Sequence, residues 1–162
     1  AYLGLGDLFV VLFFGLVAVG GVYYLQTLSF ELDALVAGLQ VGFLSTVLIA
    51  INNARDAVTD QLVAKKTLAV RFGIRFVRFE VTALVLLTFG LCGYWILTGY
   101  ILVGVLPLVT LHFFLRVAKD FWKEPPGPVY NELLAQAAGA QLLFAFQMTL
   151  GFLLDELLVL QI

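Results

Sequence analysis

Carboxylates, amides and cations crowd into one short stretch of an otherwise oily chain. The run Asn52-Asn53-Ala54-Arg55-Asp56-Ala57-Val58-Thr59-Asp60 is followed by Lys65-Lys66-Thr67-Leu68-Ala69-Val70-Arg71-Phe72-Gly73. On a helix, Asp56 and Asp60 fall at i and i+4 and share one face. Two such carboxylates suit a hard divalent cation, because Mg²⁺ takes oxygen ligands and commonly binds through one or two carboxylates plus substrate phosphates. Arg55, Lys65, Lys66 and Arg71 supply the complementary half. Arg forks two bonds to a phosphate and Lys offers a point charge. With Asn52 and Asn53 a turn earlier, the stretch outlines a site for a metal ion and a diphosphate. Spacing alone leaves a second reading open, a solvated loop of weak ion pairs.

The elements that must position this stretch are membrane helices. Of the 162 residues 62% are hydrophobic and 12% charged, with a mean hydropathy of +1.05. Charge-free runs extend from Leu8 to Phe30, Ala34 to Ala54, Val81 to Leu115 and Leu133 to Leu154. A transmembrane helix needs about 20 mostly apolar residues. The runs therefore predict an all-α, polytopic membrane bundle, a single domain over residues 1–162. Its spans are expected near 5–25, 35–51, 79–97, 101–117 and 133–154. The third and fourth form a tight hairpin at Thr98-Gly99-Tyr100. No alternating polarity of the β-barrel kind appears. The first span lacks a basic start and is too long for a signal-peptide core. The chain opens on Ala-Tyr rather than Met, so more protein is expected before it. Cys92 stands alone inside a span, which excludes a disulfide framework within the chain. A net charge of -2 and a pI near 5.2 argue against nucleic-acid binding.

All nine cations fall in two connections. Arg55, Lys65, Lys66, Arg71, Arg75 and Arg78 follow span two, and Arg116, Lys119 and Lys123 follow span four. The opposite side carries Glu31, Asp33, Asp155 and Glu156. Basic loops stay cytoplasmic, so both are expected on the cytoplasmic face of the inner membrane, with Asp7 on the same side.

Other residues take simpler readings. Glu124-Pro125-Pro126-Gly127-Pro128 breaks the helix, and Asn131 is a suitable N-cap for span five. Gly38 with Gly42, and Ala135 with Gly139, read as close helix packing. Gly20-Gly21 is expected to loosen span one. Glu80, beneath the basic loop, divides between a function and a pairing with Arg75 or Arg78. His112, near the cytoplasmic end of span four, reads as a packed, hydrogen-bonded histidine. Gln26, Gln40, Gln136, Gln141 and Gln147 read as helix-to-helix hydrogen bonds. Gln40 and Gln136 are also placed to meet an aromatic ring.

The string Asn-Asn-x-Arg-Asp-x-x-x-Asp, then Lys-Thr-Leu-Ala-Val-Arg-x-Gly, resembles the second aspartate motif of the UbiA superfamily of intramembrane prenyltransferases. It looks most like the menaquinone branch, the 1,4-dihydroxy-2-naphthoate polyprenyltransferases. Tyr2-Leu3-Gly4-Leu5-Gly6-Asp7-Leu8, Phe13-Phe14-Gly15 and Tyr23-Tyr24-Leu25-Gln26-Thr27 carry the same likeness. The resemblance implies nine membrane helices around a central cavity, of which this chain matches helices five to nine. It implies Mg²⁺ and a prenyl diphosphate at Asn53, Asp56 and Asp60, with Arg55, Lys66 and Arg71 in support. The implied reaction moves a polyprenyl group from its diphosphate to an aromatic acceptor. Two departures accompany it. Ala64 stands where the family usually has Gly, and the family's first Asp-rich motif is absent. The chain thus reads as about half of an enzyme, incomplete without an N-terminal half. The competing expectation is an inactive relative that holds a quinone, carotenoid or pigment inside a larger membrane complex.

Overall fold

The computed structural model describes residues 4–160, and among them every regular element is helical. Tyr2-Leu3 of the opening motif lies outside the described residues. Five helical stretches are long and apolar enough to cross a membrane: Gly6–Thr27, Leu32–Arg55, Leu68–Leu97, Ile101–Lys123 and Val129–Leu158. They cover all five expected spans and run further at most ends. Charged residues at the ends extend the helices into the interface, which a hydropathy boundary cuts short.

Span one is built from α1 (Gly6–Val10), a π-helical stretch (Val11–Gly20) and α2 (Gly21–Thr27). The departure from α geometry thus precedes Gly20-Gly21, and regular turns resume there. The widened stretch lies against α3 (Leu32–Arg55). Gly15 sits so near that a methyl group on it would strike the Gly38 carbonyl and lie 3.0 Å from the Gly42 Cα. Gly38 and Gly42 are thus a helix-crossing surface, as their spacing predicts.

A short α4 (Ala57–Leu62) follows, then α5 (Leu68–Gly90). Thr67 caps α5 by accepting the Val70 N–H at 3.3 Å. Gly73 breaks α5 after one turn, with φ 79° and ψ 170°, a conformation that glycine adopts without Cβ strain. The membrane-crossing part therefore begins beyond Gly73. The hairpin of α6 (Cys92–Leu97) and α7 (Ile101–Val105) turns on Gly99 at φ 98°. Pro107 then opens α8 (Leu108–Lys123), and the proline-rich break leads into α9 (Val129–Val159). Pro128 is the N-cap of α9, so Asn131 lies inside its first turn and does not cap it.

Helix α3 is central, packed against span one, α5 and α9. Leu44, Val47 and Ile51 of α3 and Val77, Val81 and Val85 of α5 are fully buried, at the three- and four-residue steps of a single helical face. Phe114, Phe121, Tyr130 and Phe144 extend that core into α8 and α9. Gln40 lies inside it with no exposed surface. Its Nε2 donates to the Thr88 carbonyl at 2.9 Å, and its Oε1 accepts the Trp95 Nε1–H at 2.8 Å. The helix-to-helix hydrogen bonds expected of Gln40 are thus present, and with no exposed surface it does not face a substrate ring. Gln136 is exposed beside Arg116, Ala135 and Gly139 in a groove between α8 and α9. Among the described residues nothing packs on Gly139, so the Ala135–Gly139 pair is not a crossing surface there. His112 is also exposed, well above the Lys123 end of α8, with its ring against Phe113. It is not the packed histidine expected.

Candidate active site

The rim forms where α3 ends. Asp56 leaves the helix at φ −93° and ψ 5°, so α3 and α4 are two helices and not one. The turn still holds, because Asp60 N–H donates to the Asp56 carbonyl at 2.8 Å. Asp56 and Asp60 therefore keep the one-turn separation that the sequence predicts.

Each carboxylate rests on its own cation. Arg55 forks onto Asp56, with Nε to Oδ1 at 2.7 Å and Nη2 to Oδ2 at 2.8 Å. The same guanidinium donates to Asn52 Oδ1 at 2.8 Å and to Asn131 Oδ1 at 2.6 Å. The Arg55 fork holds the Asp56 carboxyl below the usual carboxylate range, and Lys65 adds to the same field. Lys65 Nζ donates to Asp60 Oδ2 at 2.9 Å. Asp60 is mostly covered while Asp56 is about a third exposed, with side-chain exposures of 11% and 34%. Lys66 and Arg71 are exposed. The Lys66 carbonyl and the Arg71 Nη1 close around Gly4, at 2.8 and 2.9 Å from where its side chain would begin. The start of span one is thereby brought to the rim.

The structure groups Asn52, Arg55, Asp56 and Asn131 in one cluster and Asp60 with Lys65 in the next. Asn53 lies apart, buried beside the Asp7 carboxyl. Asn131 joins Arg55 across 76 positions of chain, which no local pattern signals. Arg78 is one of the cations that the sequence offers as a partner for Glu80. It instead donates to the Phe121 carbonyl at 2.8 Å and the Glu124 carbonyl at 2.7 Å, meeting acceptors that the end of α8 leaves open. Arg55 thus ties the end of α3 to the first turn of α9, and Arg78 ties α5 to the end of α8. Both basic connections lie at the same end of the bundle.

The donor set fits a magnesium ion in kind: two carboxylates one turn apart, Asp56 the more exposed of them, with phosphate and water to supply further ligands. No group of three or more His, Cys, Asp or Glu occurs among the described residues. The remaining ligands of such an ion would come from substrate, water or other protein.

Five membrane-length helices with an ion-paired rim at one end define a polytopic integral membrane protein. The UbiA prenyltransferase family profile matches residues 1–130, and the chain belongs to that family. It is 34% identical over 159 residues to a 1,4-dihydroxy-2-naphthoate octaprenyltransferase of Haemophilus influenzae, covering 94% of this chain and 50% of the relative. The Escherichia coli protein of that name is 29% identical over 161 residues, covering 96% and 51%. One of Mycobacterium leprae is 42% identical over 87 residues, covering 54% and 30%. The chain thus spans about half the length of the first of these relatives. No solved structure matches it significantly.

Proposed function

We propose that this chain forms half of a prenyltransferase that moves a polyprenyl group from its diphosphate to an aromatic acceptor in menaquinone-type quinone biosynthesis. Residues 1–162 act as one membrane domain in the inner membrane, the basic rim facing the cytoplasm. A further, N-terminal half completes the site. The observation that carries the reading is the Asp56/Asp60 rim in a chain of this family, with cations beside each carboxylate.

Asp56 and Asp60 would hold Mg²⁺. An ion bound there would neutralise phosphate charge and make diphosphate a better leaving group. Arg55, Lys65, Lys66 and Arg71 take the non-bridging oxygens, and Asn52 orients the same edge. A diphosphate at the rim would compete with Asp56 for Arg55 and with Asp60 for Lys65, leaving both carboxylates able to act as metal ligands. Apolar helix walls take the prenyl tail. A second reading keeps the fold without the chemistry, as a subunit holding a quinone, carotenoid or pigment. Its support is that both carboxylates already have cation partners.

The test is transfer from a polyprenyl diphosphate to 1,4-dihydroxy-2-naphthoate by the intact protein in membranes. Asp56→Ala and Asp60→Ala are each expected to lose about a thousandfold in rate, roughly 4 kcal/mol of barrier, with little change in melting temperature. Turnover like the parent's in either variant refutes the metal role.

A further inference from the structure

Next to the rim lies a cavity that the metal and diphosphate leave unused. It measures about 340 Å³ and opens between span one, α3 and α5. Its polar lining is Asp7, Thr46 and Glu80, and its apolar walls include Leu8, Leu68 and Leu84. Asp7 is 6% exposed, yet among the described residues its Oδ1 has no hydrogen-bond partner. The Glu80 Oε2 is likewise buried and without a partner. The two carboxyls are near enough to interact electrostatically.

Buried acceptors left open are costly, and native structures rarely keep them without a partner. Among the described residues, neither of these two oxygens meets a donor. No lysine or arginine is among the lining residues, and Arg78 is engaged with the Phe121 and Glu124 carbonyls. The walls call for an apolar body. The volume sits at the low end of the roughly 300–1,000 Å³ usual for small-molecule sites, the size of a small ring system and far short of a polyprenyl chain. A ring carrying O–H groups meets all three requirements. Leu68 follows the rim residue Thr67 directly, and Asn53 joins Asp7 to the helix end that carries Asp56.

We propose that this cavity binds the hydroxyl edge of an aromatic diol, with Asp7 Oδ1 and Glu80 Oε2 accepting its O–H groups. Resting on the prenyltransferase reading, this gives the acceptor its place: beside the diphosphate, held by two carboxyls from different spans. Asp7 and Glu80 are then substrate-binding residues that select hydroxylated rings.

The experiment compares two probes on the intact protein under anaerobic conditions, without metal or diphosphate. One is 1,4-dihydroxynaphthalene. The other, 1,4-dimethoxynaphthalene, has the same ring and no donors. Calorimetry of the parent is expected to show at least a tenfold preference for the diol. Asp7→Leu and Glu80→Leu are each expected to abolish most of that preference, while a Mg²⁺-loaded prenyl thiolodiphosphate binds as before. Asp7→Asn serves if the leucine variant does not fold, and lowers the preference in the same direction. Equal preference in the parent and all folded variants overturns the inference, even if prenyl transfer proceeds. Loss of preference in the variants upholds the cavity even if no transfer is found. Stoichiometric Mn²⁺ binding removed by Asp7→Leu, with indifference to the diol, overturns it in favour of a cation site.

Discussion

Arg55 bonds to Asn52, Asp56 and Asn131 together, so the rim is pre-formed around a guanidinium that a phosphate can claim. A partly exposed ion pair of this kind is weak, about 0–1 kcal/mol, and on the proposed reading a diphosphate would displace it at little cost. The fork fixes a pH dependence. Because the folded Asp56 carboxyl lies below its ordinary range, its contribution to the folded state is complete above the unfolded value, about 3.9. That contribution is lost only as pH falls through the lower folded value. No change tied to Asp56 is expected between pH 5 and 8. Arg55→Gln removes the main cause, so Asp56 should take up its proton at a higher pH than in the parent, as read by infrared difference titration. An unchanged midpoint would show that the fork does not set it. Ala64 is a separate local cost. It adopts φ 56°, where a Cβ is strained. Ala64→Gly is expected to raise stability by about 0.5–1 kcal/mol, seen as a higher melting temperature, and a lower one would contradict it.

Between elements, small residues and buried acceptors do the joining. Gly15, Gly38 and Gly42 let span one lie backbone to backbone on α3. Gly42→Leu should push the spans apart, costing about 1–3 kcal/mol as an overpacked core does. Faster proteolysis of the span-one connection would report it, and parent-like resistance would contradict it. Asp155 accepts the Leu102 and Val103 N–H groups at 2.9 and 3.1 Å, satisfying the start of α7. Asp155→Ala orphans them and should cost about 1–3 kcal/mol, a fall in melting temperature that Asp155→Asn largely restores. The helices, the hairpin and the shared end of the basic loops were legible because hydropathy and charge act over whole segments. The glycine crossing was legible in its spacing alone. Gln40 and Gln136 look alike in sequence, and only tertiary contact with Thr88 and Trp95 buries one and leaves the other exposed. The Arg55–Asn131 bond and the Asp7–Glu80 cavity join residues dozens of positions apart, so no local pattern records them.

As a whole, the chain pairs a packed core with large unpartnered apolar faces, including Phe14, Phe113, Leu142 and Phe146. Lipid covers such faces as readily as protein does, but the exposed Gln136 and Arg116 of the α8–α9 groove favour a polar or protein neighbour. Relatives twice the length point the same way. The 162-residue chain alone is therefore expected to give no prenyl transfer in detergent. On the proposed reading an opposite wall positions the reactants, an effect of about 7–11 kcal/mol in well-oriented systems. Robust product from the lone chain would show that wall to be dispensable. The central claim, that Asp56 and Asp60 hold a metal for a diphosphate, is tested most directly by binding rather than turnover. Calorimetry of the intact protein with a prenyl thiolodiphosphate, with and without Mg²⁺, isolates that step. The account predicts binding that requires Mg²⁺ and weakens at least tenfold in Asp60→Ala; binding that ignores both the metal and the substitution would contradict it.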